Sequence, residues 1–443
     1  MLLEKLSKNF LSDFGGLNPR FANIASRLAK FATGQTLLQT LQAVNGLFFI
    51  WFLSIQDFAI YAVFTAALGF ASQLTGFGIA PSIVSLVGVD MSDRKKVGRY
   101  IAAGLRVRWM LLVWIIPLGT LLLWIAAEKA EISIELFLCM ATCLAFCGYF
   151  NAQSDLFAVP LKMLDRLGTI YRISIQSELI RLALVLLIWQ GGLLNALSAA
   201  MLSMAGFLFT FLALKKTAGR HFLFPTDIPD IERKELVKIF IPRLPNAIFG
   251  AFQGQITIII SAIFGGVTQI ASVGALGRLS RLLGFLTAAN PMLVGPAVAR
   301  MGEKQFWRRL PWILAWGSLI AAIVACTGLL RPDWLILILG KHYSDLGSVV
   351  WLVTLGAGLS FFSHLIYTLT SYRRWVAWWA SFGIIGMVVV FQILVAWNFD
   401  VTTIQGVLLL SLAAISARIV SFLFLTWVAR FHSSWLIDSG EGN

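Results

Sequence analysis

The chain has 443 residues, 58% of them hydrophobic and only 13% charged, with a mean hydropathy of +0.83. Soluble domains carry about 25% charged residues, so an ordinary soluble globule is excluded. The net charge of +14 would suit nucleic acid, but in so apolar a chain its meaning depends on where the charge lies.

Apolar residues come in runs, and the stretches 111–127, 182–214 and 382–397 carry no charged residue. Roughly 18 apolar residues suffice to cross a hydrocarbon core as a helix. The short alternating segments of a membrane β-barrel do not occur, so an all-α polytopic membrane protein is expected. Residues 1–20 mix acids and bases without an apolar core, which argues against a cleavable signal peptide.

Twelve spans are predicted, at 31–54, 58–87, 107–127, 133–157, 170–189, 193–214, 240–264, 268–299, 311–330, 347–370, 375–396 and 404–429. An even number puts both termini on one side. The loops 1–30, 88–106, 158–173, 215–243, 300–310, 371–374 and 430–443 hold 27 of the 35 Lys and Arg residues. The alternate loops hold Lys129, Arg331 and Lys341. Basic loops stay in the cytoplasm, so both termini are expected there, and the high charge needs no nucleic acid.

The longest polar break, 215–239, separates six spans from six. The expected units are a cytoplasmic segment 1–30, an N-lobe 31–214, a linker 215–239, a C-lobe 240–430 and a tail 431–443. A shift of 213 residues pairs Lys30 with Arg243, Gln42 with Gln255 and Gln56 with Gln269. Six-helix halves preserve orientation, so such repeats would be parallel, about an axis along the membrane normal.

Ionisable groups inside spans are costly and point to function. Arg108 is expected to reach the headgroups by extending its side chain, and Asp155 to be wetted. In span five, Arg181 lies one turn from Glu178, and an ion pair of structural or coupling role would follow. The structural role is favoured. Glu178 is nevertheless the one candidate for energy coupling.

Arg278 and Arg281 in span eight share a helix face at i, i+3 and lie roughly 15 and 20 Å deep at 1.5 Å per residue. No Asp or Glu occurs between Thr268 and Arg300. Two central arginines cost about 5–7 kcal/mol on insertion scales, which implies a wet cavity or an anionic visitor. Their repeat-mates are Thr65 and Leu68, so packing of the repeat does not demand the charge. Arg418 is a third candidate, His364 reads as an interior hydrogen-bonding residue, and Gln42, Gln255 and Asn290 are candidate cleft linings. Pro81, Pro291 and Pro296 permit bends. Guanidinium forks engage phosphate bidentately and stay charged when buried, so the set favours an anionic cargo.

No cofactor or metal is expected. Cys139, Cys143 and Cys147 share a helix face, but without a histidine or carboxylate they read as small packing residues. Walker, HExxH and nucleophile-elbow motifs are lacking, and the outer loops are short, so an enzyme is not expected.

The first-half stretch "GQTLLQTLQAVNGLFFIWFLSIQDFAIYAVFTAALGFASQLTGFGIAPSIVSLV" carries a family likeness. So do "IASVGALGRLSRLLGFLTAANPMLVGPAVARM" and "LILILGKHYSDLGSVVWLVTLGAGLSFFSHLIYTLT" in the second. Over about 30–430 the chain resembles the polysaccharide-transport branch of the MOP flippase superfamily, which includes Wzx-like flippases. The resemblance implies two six-helix lobes in a V around a central cleft lined by spans 1, 2, 7 and 8. It also implies alternating access that flips an undecaprenyl-diphosphate-linked glycan, with a cationic lumen on Arg278 and Arg281 and glycan polymerase machinery as a partner. The implied place is a bacterial inner membrane. Multidrug exporters of the superfamily often carry a first-span carboxylate, and 31–54 has none. Peptidoglycan-precursor flippases typically have fourteen spans rather than twelve. A cation-coupled drug or metabolite antiporter and a membrane-embedded polysaccharide polymerase or ligase remain as alternatives.

Overall fold

The computed structural model describes the backbone of residues 19–431 apart from 77–78, 88–92, 130, 165, 225–229, 241–243, 284–286, 288–289, 291–293, 295–297, 299–300, 374 and 376–377. Side chains are described for the same residues except 19–32, 81, 84–85, 239–240, 244–247, 281, 341–342, 371–372 and 378. Pro291 and Pro296 therefore lie outside the described residues, as do Arg243 and the side chains of Lys30, Pro81 and Arg281.

Every regular element among the described residues is helical. In chain order they are α1 (Pro19–Phe52), α2 (Ile55–Gly76), α3 (Ile79–Val87), α4 (Arg94–Lys129), α5 (Ile134–Met163), α6 (Leu167–Gln190) and α7 (Ala196–Gly219). There follow α8 (Asp230–Phe240), α9 (Leu244–Phe264), α10 (Val267–Leu283), α11 (Glu303–Leu330) and α12 (Pro332–Leu339). A 3-10 turn (Lys341–Ser348) leads into α13 (Val350–Tyr372), α14 (Trp378–Asn398) and α15 (Ile404–Phe431). Apart from α8 and α12, which no span anticipated, these helices fall on the predicted spans, with the second divided into α2 and α3 and the eighth observed over Val267–Leu283, most of its remainder lying outside the described residues. Among the described residues, nine helices are long and apolar enough to cross a membrane, so the chain is a multi-pass membrane protein.

Local sequence explains the boundaries. Asn195 accepts from the Ser198 amide while the Ser198 hydroxyl accepts from the Asn195 amide, which satisfies two of the donors that a helix start leaves open. Pro332 opens α12, where a missing N–H costs nothing. The helix ends at Gly340, whose φ of 92° only glycine adopts freely.

The helices form two lobes, and α2 lies where they meet. Most of α2 is buried, including Phe58, Tyr61, Phe64, Phe70 and Leu74. On the N-lobe side it packs against α4, α5 and α7, and on the C-lobe side against α9 and α10. Peripheral helices instead show apolar side chains to lipid, among them Trp114, Trp312, Val390 and Trp397.

We call the membrane face that carries most of the Lys and Arg residues the basic face, and its opposite the far face. Toward the far face one apolar core runs through both lobes, from Phe49 and Phe58 to Leu276, Tyr343 and Leu352. Toward the basic face the clusters around Ile79, Phe157, Phe306 and Ile366 each stay within one lobe, while a smaller cluster of Phe70, Leu74, Ile115 and Ala251 still joins the two. Smaller contacts seal the far side. Lys129 Nζ donates to the carbonyls of Ile263 at 2.8 Å and Gly265 at 2.6 Å, and Trp51 Nε1 donates to the Ile338 carbonyl at 2.8 Å.

The polar break between the lobes holds a helix, which its composition does not suggest. Helix α8 docks on the N-lobe through Leu236, fully buried against Ile79 and Ile83. Glu235 accepts from the Tyr100 hydroxyl at 2.6 Å, and Glu232 pairs with Arg99 at 3.2 Å.

Lys129→Met should remove two charge-assisted bonds and weaken far-face closure by about 1–2 kcal/mol. In a chain with Cys139, Cys143, Cys147 and Cys326 replaced by serine, a cysteine pair at Trp51 and Ile338 should cross-link several-fold more slowly in the Lys129→Met variant. An unchanged rate would show that Lys129 does not hold the lobes together.

Candidate substrate site at the lobe junction

Glu178 and Arg181 lie about 16 and 21 Å along α6 from Leu167, and Arg278 about 16 Å along α10 from Val267. All three are at mid-membrane depth. The i, i+3 spacing brings Arg181 Nη2 to 3.5 Å from Glu178 Oε2, with both side chains 13% exposed. Asn45 of α1, wholly buried, fixes the carboxylate: its Nδ2 donates to Glu178 Oε2 at 2.7 Å and to the Glu178 carbonyl at 3.1 Å. The Arg181 guanidinium also lies 6.0 Å from the Phe49 ring centre, at the limit of cation–π attraction.

Arg278 belongs to the C-lobe but reaches into the N-lobe. Its Nη2 donates a long bond of 3.5 Å to Thr65 Oγ1, and its guanidinium lies 5.5 Å from the Tyr61 ring centre. A methyl group at Gly46 of α1 would stand 3.2 Å from Arg278 Cδ and Nη1, so the side chain passes tightly over this glycine. Arg181 and Glu178 are within its electrostatic reach. Glu178 thus pairs directly with Arg181 alone, and with Arg278 nearby the junction carries an excess positive charge. Thr65 and Arg278 are also partners under the 213-residue shift, so equivalent positions of α2 and α10 touch.

Beside Arg278 is a cavity of about 250 Å³ between α2, α9, α10, α13 and α15. Thr65, Gln255, Ser280, Ser360 and Ser411 supply its polar lining. The junction is closely interleaved here. A methyl group at Gly69 of α2 would stand 2.7 Å from Gln255 Nε2, and one at Gly254 of α9 would stand 2.7 Å from Gln73 Nε2. Each glutamine lies across the other lobe's glycine.

The remaining candidates are dispersed. Arg281 follows on α10, its side chain outside the described ones. Arg418 lies one turn beyond Ile415, a cavity residue, and has His364 within electrostatic reach. His364 is exposed and lies one turn beyond Ser360. Both extend the cavity's helix faces toward the basic side. Gln42 is exposed on α1 and does not line the cavity. Asn290 does not share the space with Gln255: it donates to the Phe361 carbonyl at 3.0 Å and lines a separate groove against α11. Arg108 does not extend to the headgroups either. It is 1% exposed and donates to the Ala152 carbonyl, because α4 and α5 pack closely around it, with the exposed Asp155 in electrostatic reach.

Asn45, Tyr61 and Gln73 were not singled out from sequence. A lone amide inside the apolar run around Asn45 was the available signal, and its partner 133 positions away was not.

No protein-family model matches the chain, and no curated protein matches it significantly. Solved structures do. The eukaryotic MATE transporter AtDTX14 superposes with a TM-score of 0.60 at 13% identity, over 93% of this chain and 96% of that one. The lipid II flippase MurJ, in an inward closed conformation, gives 0.59 at 13% identity, over 93% of each chain. An inward-facing multidrug resistance MATE family transporter of the MOP superfamily gives 0.59 at 12% identity, over 89% of this chain and 96% of that one. The chain has the fold of these proteins. At such low identity, fold is what the likeness establishes.

Breaking a buried pair leaves an uncompensated charge and costs about 3–5 kcal/mol. Glu178→Gln should therefore lower the melting temperature markedly, and Glu178→Gln with Arg181→Gln should recover part of the loss. Additive losses in this double-mutant cycle would mean that the two side chains are not coupled.

Proposed function

We propose that the protein is a membrane transporter that moves an anionic, lipid-linked oligosaccharide headgroup across a bacterial inner membrane by alternating access. The observation that carries this reading is the excess positive charge at mid-depth, where Arg278 crosses between lobes beside a polar cavity. A buried guanidinium without its own carboxylate is stabilised when a phosphate arrives, and its planar fork binds phosphate oxygens in pairs. Neighbours that include a lipid II flippase and MATE transporters support a transporter rather than an enzyme.

With the basic face cytoplasmic, the large far-side core and the much smaller inter-lobe cluster opposite support a reading in which the far side is the more firmly closed. A headgroup would enter from the cytoplasm past Arg418 and reach Arg278. Far-side contacts would then have to part while the basic side closes. The lipid tail would stay in the bilayer, and the cargo would be an undecaprenyl-diphosphate-linked glycan bound for surface polysaccharide. The units are two lobes, 31–214 and 240–430, joined by the linker that holds α8.

A cation-coupled drug or metabolite antiporter is the second reading, favoured by the Glu178 carboxylate that Asn45 presents at mid-depth. The two readings separate on deletion of the gene. Lipid-linked sugars that accumulate on the cytoplasmic leaflet would support flipping, whereas unchanged lipid-linked sugars with new drug sensitivity would support the antiporter.

Arg278→Ala should reduce surface glycan at least tenfold while membrane abundance stays near wild type, and Arg278→Lys should retain part of the activity. Full-length surface polysaccharide from the alanine variant would overturn the site assignment.

A further inference from the structure

A second space lies on the lipid side of the C-lobe, away from the cavity and independent of the transport reading. This groove of about 480 Å³ runs between α11 and α13 and includes Asn290, Trp312, Trp316, Ile320 and Leu365, with Arg309 at its basic end. Trp312 and Trp316 are 70% and 63% exposed. Among the described residues two contacts lie at its floor. Gly317 has no side chain to hold α11 away from Leu365 of α13, and the Asn290 amide is engaged by the Phe361 carbonyl. The exposed Trp312 and Trp316 place its opening on the bilayer side.

Its register matches one leaflet. Residues 309, 312, 316 and 320 lie along one face of α11 at helical spacing. From Arg309 to Ile320 is about 16 Å at 1.5 Å per residue, against roughly 15 Å for half of a hydrocarbon core. Arg309 is exposed and has no ion-pair or hydrogen-bond partner among the described residues. It sits at the face where basic residues concentrate and where an anionic leaflet attracts them. A zwitterionic phospholipid would fill the slot but bring its own cation beside the phosphate, and so neutralise this guanidinium less than a lipid of net negative charge.

We propose that the α11–α13 groove binds one acyl chain of an anionic phospholipid whose phosphate rests on Arg309. The chain lies along Trp312, Trp316 and Ile320 and replaces protein packing that the sequence omits. The groove has no lining residue in common with the cavity at Arg278, so the occupant is a resident lipid rather than a transported one.

Native mass spectrometry of the full-length protein, given equimolar phosphatidylglycerol and phosphatidylcholine, tests this. Wild type should retain phosphatidylglycerol at least fivefold over phosphatidylcholine. Arg309→Ala should bring the ratio near one, and Arg309→Lys should keep most of the preference. Ile320→Trp, which fills the slot, should reduce retention of both lipids. Each variant is compared after it elutes as wild type in size exclusion, and the lysine variant controls for misfolding of the alanine one. Equal retention of the two lipids by wild type, or unchanged preference in Arg309→Ala, would overturn the proposal. So would displacement of phosphatidylglycerol by equimolar undecaprenyl diphosphate, which would give the groove to the cargo.

Discussion

A guanidinium at mid-membrane depth must find water, a carboxylate or an anionic guest, and the position of Arg278 follows from that constraint. It leaves its own lobe, crosses above Gly46 and settles against Tyr61 and Thr65. Close by, Glu178 is already shared between Asn45 and Arg181. The N-lobe's only mid-depth acid among the described residues is thus occupied, and Arg278 gains from it only at longer range. The junction is held together by apolar packing and glutamine-on-glycine contacts, yet it contains one cation that packing does not satisfy.

That combination suits the alternating access proposed above. The far-side core, with Phe49, Phe58, Leu276 and Tyr343, favours closure there through burial that does not depend on cargo. Polar links such as Lys129 to the end of α9 are few and sit at the rim, where water can replace them. An anion bound at Arg278 would alter the balance at the point where α2 and α10 touch.

Much of the fold could be read from the chain, because a bilayer leaves little choice of structure. Backbone polar groups in hydrocarbon must be satisfied internally, so long apolar runs become helices, and each predicted span holds an observed helix, the eighth over Val267–Leu283 among the described residues. The docked helix α8 was missed for the opposite reason. Its sequence is polar, and only Leu236 and its neighbours show that one face is buried. Arg108 was misread because its depth in sequence suggests an escape to headgroups, while the tight approach of α4 and α5 that traps it is a tertiary fact.

The site was half legible. Arg278 and the Glu178–Arg181 pair stood out by cost alone, since charge within an apolar run is conspicuous. Asn45 is less costly and shows its role only through contact with α6, and Asn290 looked like a cleft residue until its backbone partner on α13 was known. The central claim is that mid-depth positive charge selects a phosphate-bearing headgroup. Flipping assays in proteoliposomes with two fluorescent polyprenyl lipids, one diphosphate-linked and one neutral with the same sugar, test it most directly. The account predicts protein-dependent movement of the diphosphate lipid alone, falling to the protein-free rate in Arg278→Ala. Equal movement of both lipids, or full activity without the arginine, would contradict it.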